Sequence, residues 1–151
     1  MKQKLKLAYM KTAEIFAELS HARRLHVGAI VVKDDRIISI GYNGMPAGWD
    51  NDCEYEAAPG FGEAVPPLLK SKPEVLHAET NAIAKLAKST ESGDGAVLFV
   101  THSPCLDCAK LIFQSGIRGV FYRDNYRNTE GIKFLTQSGV KVEQLDDSMA
   151  N

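Results

Sequence analysis

Two short motifs, His77-Ala78-Glu79 and Pro104-Cys105-Leu106-Asp107-Cys108, constrain this chain more than any other feature of its sequence. Their side chains include one imidazole, two thiols and, in the first motif, the carboxylate of Glu79. Zinc, a borderline-soft ion, prefers imidazole and thiolate ligands and binds four of them tetrahedrally. We predict that His77, Cys105 and Cys108 bind zinc. Three protein ligands leave one position for water, which is typical of a catalytic site rather than a structural one.

The composition fits one globular domain that acts on a small molecule. The chain has 151 residues, of which 44% are hydrophobic and 25% charged, an ordinary balance for a single domain. A formal net charge of -1 provides no basic field for nucleic acid, so we expect no nucleic-acid partner. No apolar run is long enough to span a membrane. Three cysteines, two of them in Cys-x-x-Cys, favour a reducing compartment and a cytoplasmic location.

Apolar periodicity predicts short strands that alternate with helices. We expect helices over residues 3–21, 77–89, 105–115 and 128–137, and strands over residues 27–32, 37–42, 96–101, 118–122 and 140–144. The first two strands form a hairpin and are apolar on both faces, so the sheet is expected to be covered. Residues 43–75 hold five prolines and little periodicity, which predicts a long loop inserted into a single domain of residues 1–151. The alternation indicates an α/β fold with a partly parallel sheet.

The two motifs are expected at the starts of helices. Ser103 is predicted to cap the helix that begins near Cys105, with Pro104 in its first position. Cys105 and Cys108 then lie at i and i+3, where the positive end of the helix dipole stabilises thiolates. Both sulfurs are therefore suited to metal binding.

Glu79 is predicted to act on water rather than to bind the metal. Zinc lowers the pKa of its bound water from about 15.7 to roughly 7. A carboxylate beside the metal can accept the proton of that water and deliver it to a substrate. This chemistry fits hydrolytic attack at an electron-poor ring carbon that carries an amine.

The combination of His-x-Glu with Pro-Cys-x-x-Cys is the signature of zinc deaminases. The order of elements resembles the cytidine deaminase superfamily across essentially the whole chain. Within it, residues 27–32, 41–48 and 77–83 look like the deoxycytidylate (dCMP) deaminases. The resemblance implies a three-layer α/β/α fold with a central mixed sheet of about five strands. It also implies that the chain hydrolyses dCMP to dUMP and ammonia.

The resemblance implies further site residues. The zinc ligands and Glu79 match the family positions, Asn43 matches a residue near the sugar, and Tyr126 matches a substrate-contacting tyrosine. Arg24 is the candidate for the phosphate, because its planar fork suits phosphate bidentately. Ala22 stands where the family often has cysteine, so we expect one zinc per chain and no second, structural zinc.

Regulation is also implied, because many dCMP deaminases are hexamers controlled by dCTP and dTTP. The family resemblance implies a homohexamer and an effector site whose triphosphate brings Mg²⁺. The candidate effector residues are Gly41, Tyr42, Asn43, Gly44 and Lys88.

Two other functions share parts of this pattern. A tRNA adenosine deaminase carries the same two motifs, but it must bind RNA phosphates and should be more basic than this chain. A non-enzymatic zinc module would need a fourth protein ligand and would leave Glu79 without a role.

Overall fold

The computed structural model describes residues 1–146 and places one mixed sheet between two layers of helices. The helices are α1 (Gln3–Ala17), α2 (Ala78–Ala87), α3 (Leu106–Gln114) and α4 (Glu130–Gln137). The strands are β1 (Gly28–Lys33), β2 (Arg36–Tyr42), β3 (Glu54–Ala58), β4 (Leu68–Ser71), β5 (Val97–His102), β6 (Gly119–Asp124) and β7 (Lys141–Gln144). None of these helices is both long enough and apolar enough to cross a bilayer.

The main sheet has the strand order β2-β1-β5-β6-β7. β1 pairs antiparallel with both β2 and β5, whereas β5, β6 and β7 run parallel. Helices α3 and α4 make the two crossovers that parallel neighbours require. The predicted mixed sheet of five strands is therefore confirmed.

Successive residues of the central strands face different helices, as the pleat requires. Ile30 and Phe99 are fully buried in a cluster with Met10 of α1, whereas Val31 and Leu98 are fully buried against α2, α3 and α4. Both faces are thus covered, which explains why these strands read as continuous apolar runs. This arrangement confirms the three-layer α/β/α fold.

The segment predicted to be a long loop contains the hairpin of β3 and β4, which form a separate two-stranded sheet. The prediction of a long loop over residues 43–75 is therefore wrong at β3 and β4. Their sequences, Glu-Tyr-Glu-Ala-Ala and Leu-Leu-Lys-Ser, contain no β-branched residue, so no propensity signal marks them. Backbone pairing defines them instead, and it continues into a bridge between Phe61 and Val65.

The two motif helices begin at slightly different residues from those predicted. α2 follows His77, and α3 follows Cys105, which is itself the N-cap residue. The prediction that Ser103 caps α3 is wrong. Its hydroxyl instead accepts a hydrogen bond from the Tyr126 amide at 2.6 Å. Ser103 therefore connects the loop after β6 to the end of β5, and Pro104 stays outside the helix.

Candidate metal centre and adjoining cavity

Three donor atoms meet where α2 and α3 begin. The imidazole of His77 and the sulfurs of Cys105 and Cys108 lie within 4.8 Å of one another. His77 Nδ1 is 3.3 Å from the Cys108 sulfur and 3.6 Å from the Cys105 sulfur. Within residues 1–146 this is the only such group of potential metal ligands. One imidazole and two thiols match the ligand preference of zinc and leave a coordination position for water.

The electrostatics of the cluster favour an anion at one sulfur, that of Cys105, and a proton on the other. Hydrogen bonds from Cys108 and His77 lower the pKa of the Cys105 thiol to about 4. The hydrogen bond with Cys105, followed by burial, raises the pKa of the Cys108 thiol. The hydrogen bond to Cys105 also raises the pKa of His77. Metal binding displaces protons from the ligands. Zinc would therefore replace the proton in the hydrogen bond between Cys105 and Cys108.

Glu79 lies in the first turn of α2 and is 4% exposed. It lines the same cavity as His77 and Cys105. Burial is the main cause that raises the pKa of its carboxyl group above the ordinary glutamate value. A carboxyl whose pKa is shifted in this direction takes up and releases a proton closer to neutral pH than an exposed one does.

The cavity beside the donor cluster has a volume of about 450 Å³. Its lining includes His102 at the end of β5 and Asn125, Tyr126 and Arg127 after β6. Arg24, before β1, and Asn43, after β2, also line it. This volume suits a small molecule of nucleotide size, since ligand pockets usually measure about 300–1,000 Å³.

All three predicted substrate residues, Arg24, Asn43 and Tyr126, line this cavity, as do His77 and Cys105 of the donor cluster. Asn43 also has a structural task. Its Oδ1 accepts a hydrogen bond from the Val27 amide at 2.9 Å, and its Nδ2 donates one to the Leu25 carbonyl at 2.8 Å. Tyr126 is 43% exposed at the wall of the cavity, so its ring is accessible to a ligand.

The candidate effector residues lie apart from the cavity, except for Asn43. Gly41 packs so closely on α2 that a Cβ there would overlap the Ala78 carbonyl oxygen. Asn81 donates a hydrogen bond to the Tyr42 carbonyl at 2.8 Å. Gly44 bridges to Leu76, and Lys88 is exposed at the end of α2. These residues therefore lie along the contact between β2 and α2.

The chain is also similar to known proteins. Residues 3–123 match the family described as the cytidine and deoxycytidylate deaminase zinc-binding region. The chain belongs to this family. Deoxycytidylate deaminase of Enterobacteria phage T4 is 35% identical over 170 residues, which span 91% of this chain and 86% of the phage protein. ComE operon protein 2 of Bacillus subtilis is 36% identical over 139 residues, which span 91% of this chain and 69% of that protein.

A crystal structure of dCMP deaminase from the cyanophage S-TIM5, in complex with dCMP and dUMP, is also similar. It is 50% identical, with a TM-score of 0.85, and the match covers 96% of this chain and 99% of that one. The predicted family and fold are thereby confirmed for this zinc-binding deaminase chain.

Among the residues that line the cavity of this deaminase, sequence reasoning did not assign His102, Arg127 and Glu54 to the site. Arg127 directly follows Tyr126, which was predicted to contact the substrate. This adjacent basic residue could therefore have been identified from the sequence. Glu54 had no signal, because it lies in the segment predicted to be a loop. Its position depends on the hairpin, which the structure alone defines.

The start of α4 supports the metal motif of this deaminase. A Cβ added to Gly131 would overlap the Pro104 carbonyl oxygen and lie 2.9 Å from the Cys105 carbonyl carbon. We expect Gly131→Ala to displace the motif, weaken zinc binding and lower the free energy of unfolding by about 1–3 kcal/mol. Metal analysis and thermal melting check this. Gly44→Ala is the matched control, since a Cβ there meets nothing within 4 Å; equal effects of both changes would contradict the explanation.

Proposed function

We propose that this chain hydrolyses dCMP to dUMP and ammonia, with zinc held by His77, Cys105 and Cys108. One observation carries the proposal. A single cavity is lined by His77 and Cys105 of the donor cluster, by the buried Glu79 and by Arg24 and Arg127. The first two features suit the hydrolysis of a ring C–N bond, and the arginines suit a 5′-phosphate. The phage relatives are deoxycytidylate deaminases, which supports this substrate.

The proton chemistry falls to Glu79. When bound, zinc supplies the Lewis acidity that makes water reactive near neutral pH. A Glu79 carboxylate oxygen accepts a proton from the attacking water and transfers it to the base. This first proton goes to the ring nitrogen beside the attacked carbon as the new C–O bond forms. Glu79 then moves the proton of the new hydroxyl group to the amino group, so the C–N bond breaks, ammonia leaves and the carbonyl of dUMP remains. Burial, which raises the pKa of Glu79, suits a group that must both accept and donate a proton.

The two cavity arginines select a nucleotide over a nucleoside. Within residues 1–146 neither the Arg24 nor the Arg127 side chain has a hydrogen-bond or ion-pair partner. Two unpaired guanidinium groups on one cavity attract a phosphate dianion, and the planar fork of each can bind it through two hydrogen bonds. We place Asn43 near the sugar and Tyr126 beside the bound nucleotide.

We further propose control by dCTP and dTTP, with Mg²⁺ bound to the triphosphate, in a homohexamer. Gly41, Tyr42, Asn43, Gly44 and Lys88 are the proposed effector residues. Support comes from their place along β2 and α2, where all but Asn43 lie outside the cavity. A ligand there would act on α2, the helix that carries Glu79. We propose the cytosol as the compartment, because all three cysteines are free thiols.

The test is ammonia release from dCMP, deoxycytidine, dCTP and a tRNA anticodon stem, each with and without dCTP or dTTP as effector. We expect dCMP to be preferred. Arg24→Ala should lower kcat/KM for dCMP by about 10–100-fold, the loss expected for hydrogen bonds to a charged group, and leave deoxycytidine unaffected. Arg36→Ala, which removes an exposed arginine paired with Glu91, is the control. Preference for the tRNA stem or for deoxycytidine would contradict the proposal.

A further inference from the structure

Arg24 belongs to a segment, residues 22–27, that has no helix or strand of its own. We call it the arginine segment. It connects α1 to β1 and forms part of the cavity wall. Asn43 holds its second half, through Leu25 and Val27. The first half must be fixed by something else if the Arg24 side chain is to stay on the cavity.

Glu54, the first residue of β3, fixes the first half. Its Oε1 accepts hydrogen bonds from the Arg23 amide at 2.8 Å and the Arg24 amide at 3.1 Å. Glu54 is only 2% exposed, so these bonds form away from competing water. Hydrogen bonds from backbone amides to an ionised carboxylate are among the strong ones. The hairpin of β3 and β4 is therefore joined directly to the arginine segment.

Glu54 also separates the two neighbouring arginines. Its Oε2 has no hydrogen-bond partner within the described chain and lies 3.6 Å from Arg23 Nε. Asp52 adds a second ion pair to Arg23 at 3.1 Å. The Arg23 side chain is thus ion-paired with carboxylates in and beside β3. Of the two arginines, only Arg24 lines the cavity. The charge of Glu54 is compensated by Arg23 and leaves Arg24 free for an anion.

We infer that Glu54 is a positioning residue for Arg24: it holds the backbone of Arg23 and Arg24 so that the Arg24 guanidinium faces the 5′-phosphate. The inference rests on the proposed phosphate contact of Arg24. It requires the reach of the Glu54 side chain, since one oxygen bonds to both amides. The negative charge of Glu54, which lines the cavity, would by itself repel a phosphate, so the inference does not depend on that charge.

Two substitutions separate reach from charge. Glu54→Asp keeps the charge but is shorter by one methylene, about 1.5 Å, so one oxygen no longer reaches both amides. Glu54→Gln keeps the length and an acceptor oxygen but removes the charge. We expect Glu54→Asp to raise KM for dCMP about tenfold with little change in kcat, and Glu54→Gln to stay within about threefold of the original KM. For deoxycytidine, which has no phosphate, kcat/KM should be unchanged in both variants.

Asp52→Asn is the matched control, because it removes the exposed ion-pair partner of Arg23 and leaves both Glu54 hydrogen bonds in place. Its KM for dCMP should not change. Hydrogen exchange provides a readout independent of turnover. The amides of Arg23 and Arg24 should lose protection in Glu54→Asp and keep it in Glu54→Gln and Asp52→Asn. Thermal melting of each variant establishes that it is folded.

Three results would overturn the inference. The first is an unchanged KM for dCMP in Glu54→Asp despite lost amide protection. The second is an equal loss on dCMP and deoxycytidine, which would mean a general structural role. The third is an Arg24→Ala variant that binds dCMP normally, which removes the phosphate contact. Failure of the wider function is distinct, because the unmodified chain would then not deaminate dCMP at all.

Discussion

Glu79→Gln is expected to abolish dCMP hydrolysis while the chain still binds about one zinc. The amide has nearly the same shape as the carboxyl group and remains buried in the first turn of α2. It cannot accept a proton from water, however, so the transfer to the base fails. Loss of a positioned general base lowers the rate by about 10²–10⁴-fold. Steady-state ammonia release and zinc analysis of the same preparation check both parts of this result.

The control for Glu79→Gln is Asp107→Asn, which changes a carboxylate inside the second motif. The Asp107 side chain is 92% exposed and does not line the cavity. Turnover of this variant should stay within a few-fold of the original. If Glu79→Gln lost its zinc along with its activity, Glu79 would be a metal ligand or a support for the ligands, and its proposed role in proton transfer would be wrong.

Apart from β3 and β4, the order of helices and strands in the described chain was predictable, because it depends on local pattern. The central strands are apolar on both faces and covered on both, and the motif helices begin within one or two residues of the predicted positions. The donor cluster was predictable for a chemical reason. An imidazole and two thiols at the starts of helices are typical of a metal site. The spacing of His77 and the cysteines therefore already indicated zinc. Such features need no knowledge of distant contacts.

The supporting residues were not predictable, since they depend on contacts between distant segments. Glu54 bonds to amides that precede it by 30 and 31 residues, and nothing in its own neighbourhood marks it. Ser103 fits the sequence pattern of a helix cap, yet its hydroxyl accepts the amide of Tyr126 across 23 residues. A short polar side chain has several partners available locally, and tertiary structure decides among them. The residues that hold the site are therefore harder to find than those that perform its chemistry.

Cys105→Ala is expected to lose zinc and to lower the melting temperature, because metal binding is coupled to the stability of the folded state. The variant keeps only His77 and Cys108 as donors. Loss of a ligand present at about 1,000 times its Kd removes about 4 kcal/mol of stability. For a domain of this size that corresponds to a fall in Tm of about 8–16 °C. Metal analysis and thermal melting measure the two effects.

Cys53→Ala is the matched control for the metal experiment. Cys53 is 1% exposed, like a core residue, but it is not part of the donor cluster. It should keep about one zinc per chain, and any loss of stability should come from packing alone. Adding a chelator then distinguishes the two variants. It should lower the melting temperature of Cys53→Ala and leave that of Cys105→Ala unchanged, because the latter has no zinc to lose. A Cys105→Ala protein that retained zinc and deaminated dCMP would refute the assigned ligands.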